Sequence, residues 1–279
     1  MKKRVISSVV MIAILGTIIW LFDGVYLNIM LSIIGFIASF ELLRAFNMMQ
    51  NKLFLMVYGL YAVLTLMFEK FNMLTVFLLL FLTFCIMMFS NDRHYEFKEG
   101  AAVFFACNMT TLGLLAMLRL RAFSPFLNDG RFLFLAALGM GWLCDTFAFF
   151  AGSAFGKRKL CPKISPKKTV EGAIGGLLGT PLVITAVYAL FLHLSQGNTV
   201  FAGQDGFWQY AYIFAVSMIG AGVGMIGDLS ASYIKRECGL KDFGDLIPGH
   251  GGAMDRIDSV LFTGVFALSA FSGFFLIFR

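Results

Sequence analysis

The sequence predicts an all-α polytopic membrane protein of about nine transmembrane helices, and three observations carry that reading. Counting Gly and leaving out Tyr, about two thirds of the 279 residues are apolar, where soluble globular domains have roughly 45–50%. Charged residues make up 14%, against roughly 25% in such domains, and mean hydropathy is +0.84. The apolar residues also come in runs of about 17–25, the length a helix needs to cross about 30 Å of hydrocarbon. Disorder, a disulfide scaffold and an ordinary cytosolic enzyme all fit these figures poorly.

Nine runs qualify, at about 5–22, 24–40, 53–68, 71–90, 101–118, 131–151, 172–194, 208–227 and 259–278. The first follows Met1-Lys2-Lys3-Arg4, as a signal peptide would. It lacks a small-x-small cleavage site and leads straight into the second run, so it reads as a retained helix. The second and third runs are short. Lys and Arg concentrate in cytoplasmic loops, which places the N-terminus in the cytoplasm and the C-terminus on the opposite side. All 22 Lys and Arg then fall on the cytoplasmic side except Lys70, Arg119, Arg121, Arg131 and Arg279. The same parity puts two long polar loops, about 152–171 and 228–258, in the cytoplasm.

Residues 1–130 read as a scaffold of lipid-facing or dimer-forming helices, and residues 131–279 as the functional membrane region carrying both loops. No linker, low-complexity tract or repeat is evident. Cys85, Cys107, Cys144, Cys161 and Cys238 are scattered and form no CxxC pair, so they read as small thiols in helices and not as a zinc or disulfide framework.

Four features carry possible chemistry. Gly222-x-Gly224-x-x-Gly227 matches a dinucleotide fingerprint as a string, but that fingerprint needs a preceding strand, and this one lies within an apolar helix. Close helix packing explains it better, as it does Gly172/Gly176 and Gly175/Gly179. Asp145 lies within the sixth run, where an ionisable group is costly; it is either a structural hydrogen-bonding group near the interface or part of an active site.

The segment Lys157-Arg158-Lys159 through Ser165-Pro166-Lys167-Lys168-Thr169-Val170-Glu171-Gly172 has the densest positive charge. It offers hydroxyls, lysines and a helix N-terminus to a phosphate, though a basic juxtamembrane run also arises simply from contact with anionic lipid. The fourth feature is the strongest. Gly227-Asp228 leads through Ser232, Lys235, Arg236, Lys241 and Asp242 to Pro248-Gly249-His250-Gly251-Gly252, then Asp255, Arg256 and Asp258. On a helix, Asp228 and Ser232 share a face, as do Asp255 and Asp258. Three carboxylates beside a Gly-rich turn suit a hard divalent cation such as Mg²⁺, with substrate phosphate completing its shell. The glycines would let backbone N–H groups approach an anion.

At these residues the sequence resembles the phosphatidate cytidylyltransferase (CDP-diacylglycerol synthase) family. The family signature S-x-x-K-R-x4-K-D-x-G-x2-[apolar]-P-x-H-G-G-x-x-D-R-x-D is matched at every fixed position from Ser232 to Asp258. Asp145-Thr146-Phe147-Ala148, Gly156-Lys157, the Ser165–Gly172 segment and Gly227-Asp228-Leu229 also fit. Ala253 departs mildly, standing where a larger aliphatic residue is common. The resemblance covers about residues 140–260 in detail and the remainder by topology.

The resemblance implies a nucleotidyltransferase of phospholipid biosynthesis, in which CTP and phosphatidate give CDP-diacylglycerol and pyrophosphate. It further implies Mg²⁺ as cofactor, with the presence of a second cation left open, and no nucleic-acid partner. Asp228 and Asp255 would ligate the metal, with Asp258 a third ligand or a supporting carboxylate. Lys167 and Lys168 would grip the CTP phosphates, and Arg256, Lys235 and Arg236 the lipid headgroup or pyrophosphate. Asp242 and Lys241 would brace the loop, and His250 would hydrogen-bond a phosphate. Ser165, Ser232, Gly251, Gly252 and Asp145 complete the expected substrate site. A bacterial inner-membrane location with a cytoplasm-facing site fits the family, and a homodimer through Gly-rich or N-terminal helices is compatible with it. The alternatives are a CTP-dependent lipid kinase of the polyprenol type or, less well supported, an ion-coupled transporter.

Overall fold

Long apolar runs become helices in lipid because each backbone N–H and C=O must find its partner within the segment. In the computed structural model the described residues are 16, 22, 25–48, 52–68, 81–82, 85, 97–121, 123, 127–195, 206–245 and 251–277. They form α1 (Val25–Ala45), α2 (Lys52–Met67), α3 (Phe97–Arg121), α4 (Leu127–Phe155), β1 (Lys159–Cys161), β2 (Ser165–Thr169), α5 (Val170–Ser195), α6 (Gly206–Glu237) and α7 (Met254–Ile277). The expected runs at 5–22 and 71–90 lie almost wholly outside the described residues. Five described helices are long and apolar enough to cross a membrane: α1, α3, α4, α5 and α6. Helix α2 is shorter, and α7 corresponds in position to the ninth expected run.

Two expectations are corrected. The chain is not purely helical, because β1 and β2 form a small antiparallel hairpin pairing Lys159 with Thr169 and Cys161 with Ser165. The physical reason is local: Cys161 and Ser165 each precede a proline, which disfavours helix and pushes them to extended backbone. The register shifts between the two pairs, and Pro166, which has no N–H to give a ladder, sits in that irregular stretch. Nor is 228–258 a loop throughout. Helix α6 continues to Glu237, since nothing from Asp228 to Glu237 breaks a helix, and α7 begins at Met254. At about 1.5 Å per residue α6 outruns a hydrocarbon core of about 30 Å, and its polar C-terminal turns project beyond it.

The chain divides into two compact units. One comprises the residues up to Leu118 together with Lys235–Ile257; the other comprises Arg119–Ile234 together with Asp258–Arg279. In the first, Asn28 of α1 donates to the Leu66 carbonyl of α2 at 2.8 Å. In the second, Tyr188 of α5 donates to Gln209 of α6 at 2.9 Å, and Thr263 of α7 to the Ala137 carbonyl of α4 at 2.8 Å. Such side-chain bonds join helices where the hydrophobic effect cannot, because lipid is as apolar as the helix faces. The exposed stripe Ile174, Leu178 and Leu182 of α5, and Ile29, Ile33 and Phe36 of α1, are faces suited to lipid contact.

Small residues set the spacing of α4 and α5. A Cβ at Gly175 would collide with Ala151, and one at Gly176 with the Cys144 carbonyl and sulfur. In the Gly222-x-Gly224-x-x-Gly227 string, Gly224 lies against Thr263 and Gly141, and Gly227 against Phe262 and the Asp258 carbonyl. That string packs helices.

Candidate active site

The hairpin delivers its lysines to one place because both of its ends are fixed. Thr169 caps α5, its hydroxyl accepting from Gly172 N–H at 3.1 Å. Glu171, in the first turn, accepts from the backbone N–H groups of Lys157 (3.0 Å) and Arg158 (3.2 Å), and Val170 N–H donates to the Arg158 carbonyl at 2.9 Å. The chain entering the hairpin is therefore tied to the helix that leaves it.

From this frame Lys168 reaches the carboxylate of Asp228 on α6 in a close ion pair and lies 3.9 Å from Asp145 on α4. Ser232, one turn on from Asp228, donates to its other oxygen at 3.4 Å. Burial alone would push the Lys168 ammonium below its ordinary pKa. Asp228, then Asp145 and Asp258, more than offset it, so the group stands above the ordinary lysine value and stays charged. Asp258, on α7, is buried.

Beside this cluster opens a cavity of about 390 Å³, lined by the charged Asp145, Lys167 and Lys168 and by apolar residues that include Phe149, Leu160 and Met225. Its size falls within the range of small-ligand sites. A lining that combines charged and apolar side chains suits an amphiphile better than a uniformly polar solute.

The other unit holds a second cluster. Helix α6 ends in a Schellman motif: Leu240 N–H bonds the Lys235 carbonyl at 2.7 Å, Gly239 N–H the Arg236 carbonyl at 3.0 Å, and Gly239 has φ +68°. Arg236 itself donates to the Leu240 carbonyl at 2.9 Å. The reversal brings Phe243 over the Lys235 ammonium, 5.3 Å from the ring centre. Lys235 pairs with Asp255 at 2.8 Å, their side chains only 10% and 5% exposed. The second Asp255 oxygen accepts from Phe243 N–H and Gly252 N–H, both at 2.9 Å. Asp255 thereby ties the end of α6, the following loop and the start of α7 together.

The N–H groups that open α7 are met by an acid from far away in sequence. Glu41 of α1, 4% exposed, accepts from Ala253 N–H at 3.0 Å and Met254 N–H at 2.8 Å. A Cβ at Gly244 or at Gly252 would collide with the Glu41 carboxylate.

Of the residues singled out in the sequence, Asp145, Lys168, Asp228 and Ser232 come together, with Lys167 exposed at the same cavity. Lys235, Asp255 and Gly252 form the second cluster, and Gly251 adjoins it at φ +83°. Ser165 lies in the hairpin paired with Cys161. Lys241 and Asp242 are exposed in the loop, and Arg256 is half-buried in the first turn of α7. His250 lies outside the described residues, as do Pro248 and Gly249. Among the described residues no three His, Cys, Asp or Glu side chains converge closely enough to hold a metal ion by themselves. Sequence reasoning missed Glu41. The expected run ends at residue 40, one short of Glu41, whereas the helix continues to Ala45; an acid inside it is the same anomaly that singled out Asp145.

Long apolar helices, five of them able to cross a membrane, with lysines and carboxylates gathered at their ends define an integral membrane protein. Family comparison narrows this class. The model of the Cytidylyltransferase family matches residues 2–274, and the chain belongs to that family. Phosphatidate cytidylyltransferase of Haemophilus influenzae is 41% identical over 143 residues, 51% of this chain and 46% of that protein. The Bacillus subtilis protein of the same name is 39% identical over 122 residues, 44% of this chain and 40% of that protein. That of Staphylococcus haemolyticus is 30% identical over 274 residues, 94% of this chain and 96% of that protein. This chain thus spans under half the length of the first two relatives and nearly all of the third.

Proposed function

We propose that this protein transfers the cytidylyl group of CTP to phosphatidate, giving CDP-diacylglycerol and pyrophosphate. The observation that carries the reading is the Lys168–Asp228–Asp145 cluster beside a cavity lined by both charged and apolar side chains, in a chain whose relatives bear the name phosphatidate cytidylyltransferase. An oxygen of the phosphatidate phosphate attacks the α-phosphorus of CTP. The bond from that phosphorus to the bridging oxygen breaks, and pyrophosphate leaves with the electron pair. The attacking phosphate is already ionised near neutral pH, so no dedicated general base is required. Bringing two polyanions together is the difficulty, and positioned positive charge meets it.

Lys167 and Lys168 grip the nucleotide phosphates, and Arg256 and Arg236 orient the lipid headgroup or the departing pyrophosphate. Lys235, engaged by Asp255, holds that carboxylate in place, while Lys241 and Asp242 brace the loop and His250 hydrogen-bonds a phosphate. The donors Asp228, Asp255 and Asp258 are oxygen ligands only, which suits Mg²⁺, an ion that takes one or two carboxylates and completes its shell from phosphate and water. The Asp255 carboxylate has about four acceptor positions, of which Lys235, Phe243 and Gly252 take three, and a position left for a cation supports this reading. A Mg²⁺ ion held by these carboxylates would supply positive charge against the charge gathering on pyrophosphate. We further propose nine spans with the N-terminus and the site in the cytoplasm, in a bacterial inner membrane.

Purified protein in detergent, given phosphatidate, Mg²⁺ and CTP labelled separately at the α- and γ-phosphates, tests the reading. Label from the α-position should enter lipid and γ-label should leave as pyrophosphate. Entry of γ-label into lipid would make the protein a kinase instead, and transfer of neither label by folded protein would refute the proposal.

A further inference from the structure

The N-terminal helices look like scaffold, yet one of them reaches into the Gly-rich signature. We infer that Glu41 is a positioning residue: its carboxylate sets the start of α7 and the Gly251-Gly252 turn, and so fixes where the Asp255 carboxylate stands. The inference rests on the cytidylyltransferase reading above for the meaning of Asp255, but its geometry stands independently.

Three observations support it. First, Glu41 places one oxygen on Ala253 N–H and the other on Met254 N–H, at 3.0 and 2.8 Å. These are among the N–H groups that a helix start leaves without an intrahelical partner, and a carboxylate there forms charge-assisted bonds with the helix dipole behind them. Second, Gly252 N–H, next in line, donates to Asp255. Three successive backbone donors are thus divided between two carboxylates, one from within the turn and one from α1, so moving either reorients the segment they share. Third, Gly244 and Gly252 have no space for a side chain because the Glu41 carboxylate fills it. These two signature glycines are therefore required by an internal anion. Arg44, one turn on, also reaches this loop, at 3.7 Å from Asp245, but that pair is 59% and 93% exposed and holds little.

The test compares Glu41→Ala, Glu41→Gln and the control Arg44→Ala with the wild-type full-length protein in detergent. Two readouts are taken: the split between kcat and KM for CTP, and hydrogen exchange of a peptide covering residues 251–258. Misplacing a reacting group by about 1 Å costs roughly 100-fold, so Glu41→Ala should lower kcat about that much while KM stays within about threefold. Glu41→Gln keeps one carbonyl acceptor but turns an NH₂ toward the other donor, and should fall between Glu41→Ala and the wild type. Exchange should accelerate in both, and Arg44→Ala should match the wild type in both readouts.

Folded Glu41→Ala with kcat within about threefold of wild type would overturn the inference, as would a raised KM at unchanged kcat. If Glu41→Ala fails to fold, Glu41→Gln decides by the same readouts; failure of both to fold would reduce Glu41 to a stabilising residue and overturn it. If the wild-type protein transfers no cytidylyl group, the functional reading fails instead. Exchange at 251–258 then decides on its own whether Glu41 holds the turn.

Discussion

The Lys235–Asp255 pair is where this fold most plainly commits to buried charge, and a double-mutant cycle measures the commitment. The two groups lie 2.8 Å apart with side chains 10% and 5% exposed. Lys235→Met keeps an apolar side chain of similar length but strands the carboxylate, and removing one member of a buried pair costs about 3–5 kcal/mol. The lower end, about 3 kcal/mol, applies because Phe243 and Gly252 still donate to Asp255. Asp255→Asn strands the ammonium and presents it with an amide, for a similar loss of about 3 kcal/mol. With both changes no charge is stranded, and the Asn carbonyl still accepts from the backbone. The double variant should therefore lose about 3 kcal/mol where independent effects would give about 6, a coupling near the upper end for contacting residues. Unfolding in mixed micelles of rising SDS fraction, followed by far-UV circular dichroism without added metal, reads all four proteins. Single losses under about 1 kcal/mol, the range of solvated pairs, or losses that simply add, would refute this account of the cluster.

Other expectations follow from the same geometry. Thr169→Ala removes the cap on Gly172 N–H and should cost about 1 kcal/mol in that unfolding assay. Gly175→Leu drives a side chain into Ala151 of α4, and overpacking of about 1–3 kcal/mol or more should appear as a lower yield of folded protein. Asp228→Asn should lower kcat by about 10²–10³-fold. Asp145→Asn should cost several-fold less, since Asp145 is 43% exposed and 3.9 Å from Lys168; equal effects would contradict the ranking. Chelation should abolish cytidylyl transfer and Mg²⁺ restore it, whereas activity indifferent to EDTA would remove metal from the scheme.

Much of the membrane architecture was legible because it rests on local rules. Apolar run length anticipates α1 through α7 to within a few residues at most ends, and the small-residue spacing at Gly172/Gly176 and Gly175/Gly179 foretells how closely α5 packs on α4. The clearest boundary failures lie where polarity was taken for loop. Asp228 to Glu237 is polar yet helical, and Gly239, the residue able to adopt the left-handed cap, sets the true end. The hairpin was hidden by length: strands of three and five residues leave little periodic signal, though the two X-Pro steps marked where extended backbone was favoured. Within the site, the Asp228–Ser232 contact follows from i, i+4 spacing, while the Lys168–Asp228 pairing spans 60 residues and follows from no local rule.

Glu41 shows the same boundary from the other side. Nothing within a few residues of Glu41 distinguishes a structural acid from a functional one, and its partners lie 212 and 213 residues away. The contact changes what the glycine signature means chemically. Backbone N–H groups in a Gly-rich turn usually suggest a cradle for a bound phosphate. Here the N–H groups of Gly252, Ala253 and Met254 are already taken by Asp255 and Glu41, and a substrate anion would have to displace a buried carboxylate to reach them. These three N–H groups therefore serve the protein's own carboxylates, and the absence of a side chain at Gly244 and Gly252 makes room for that of Glu41.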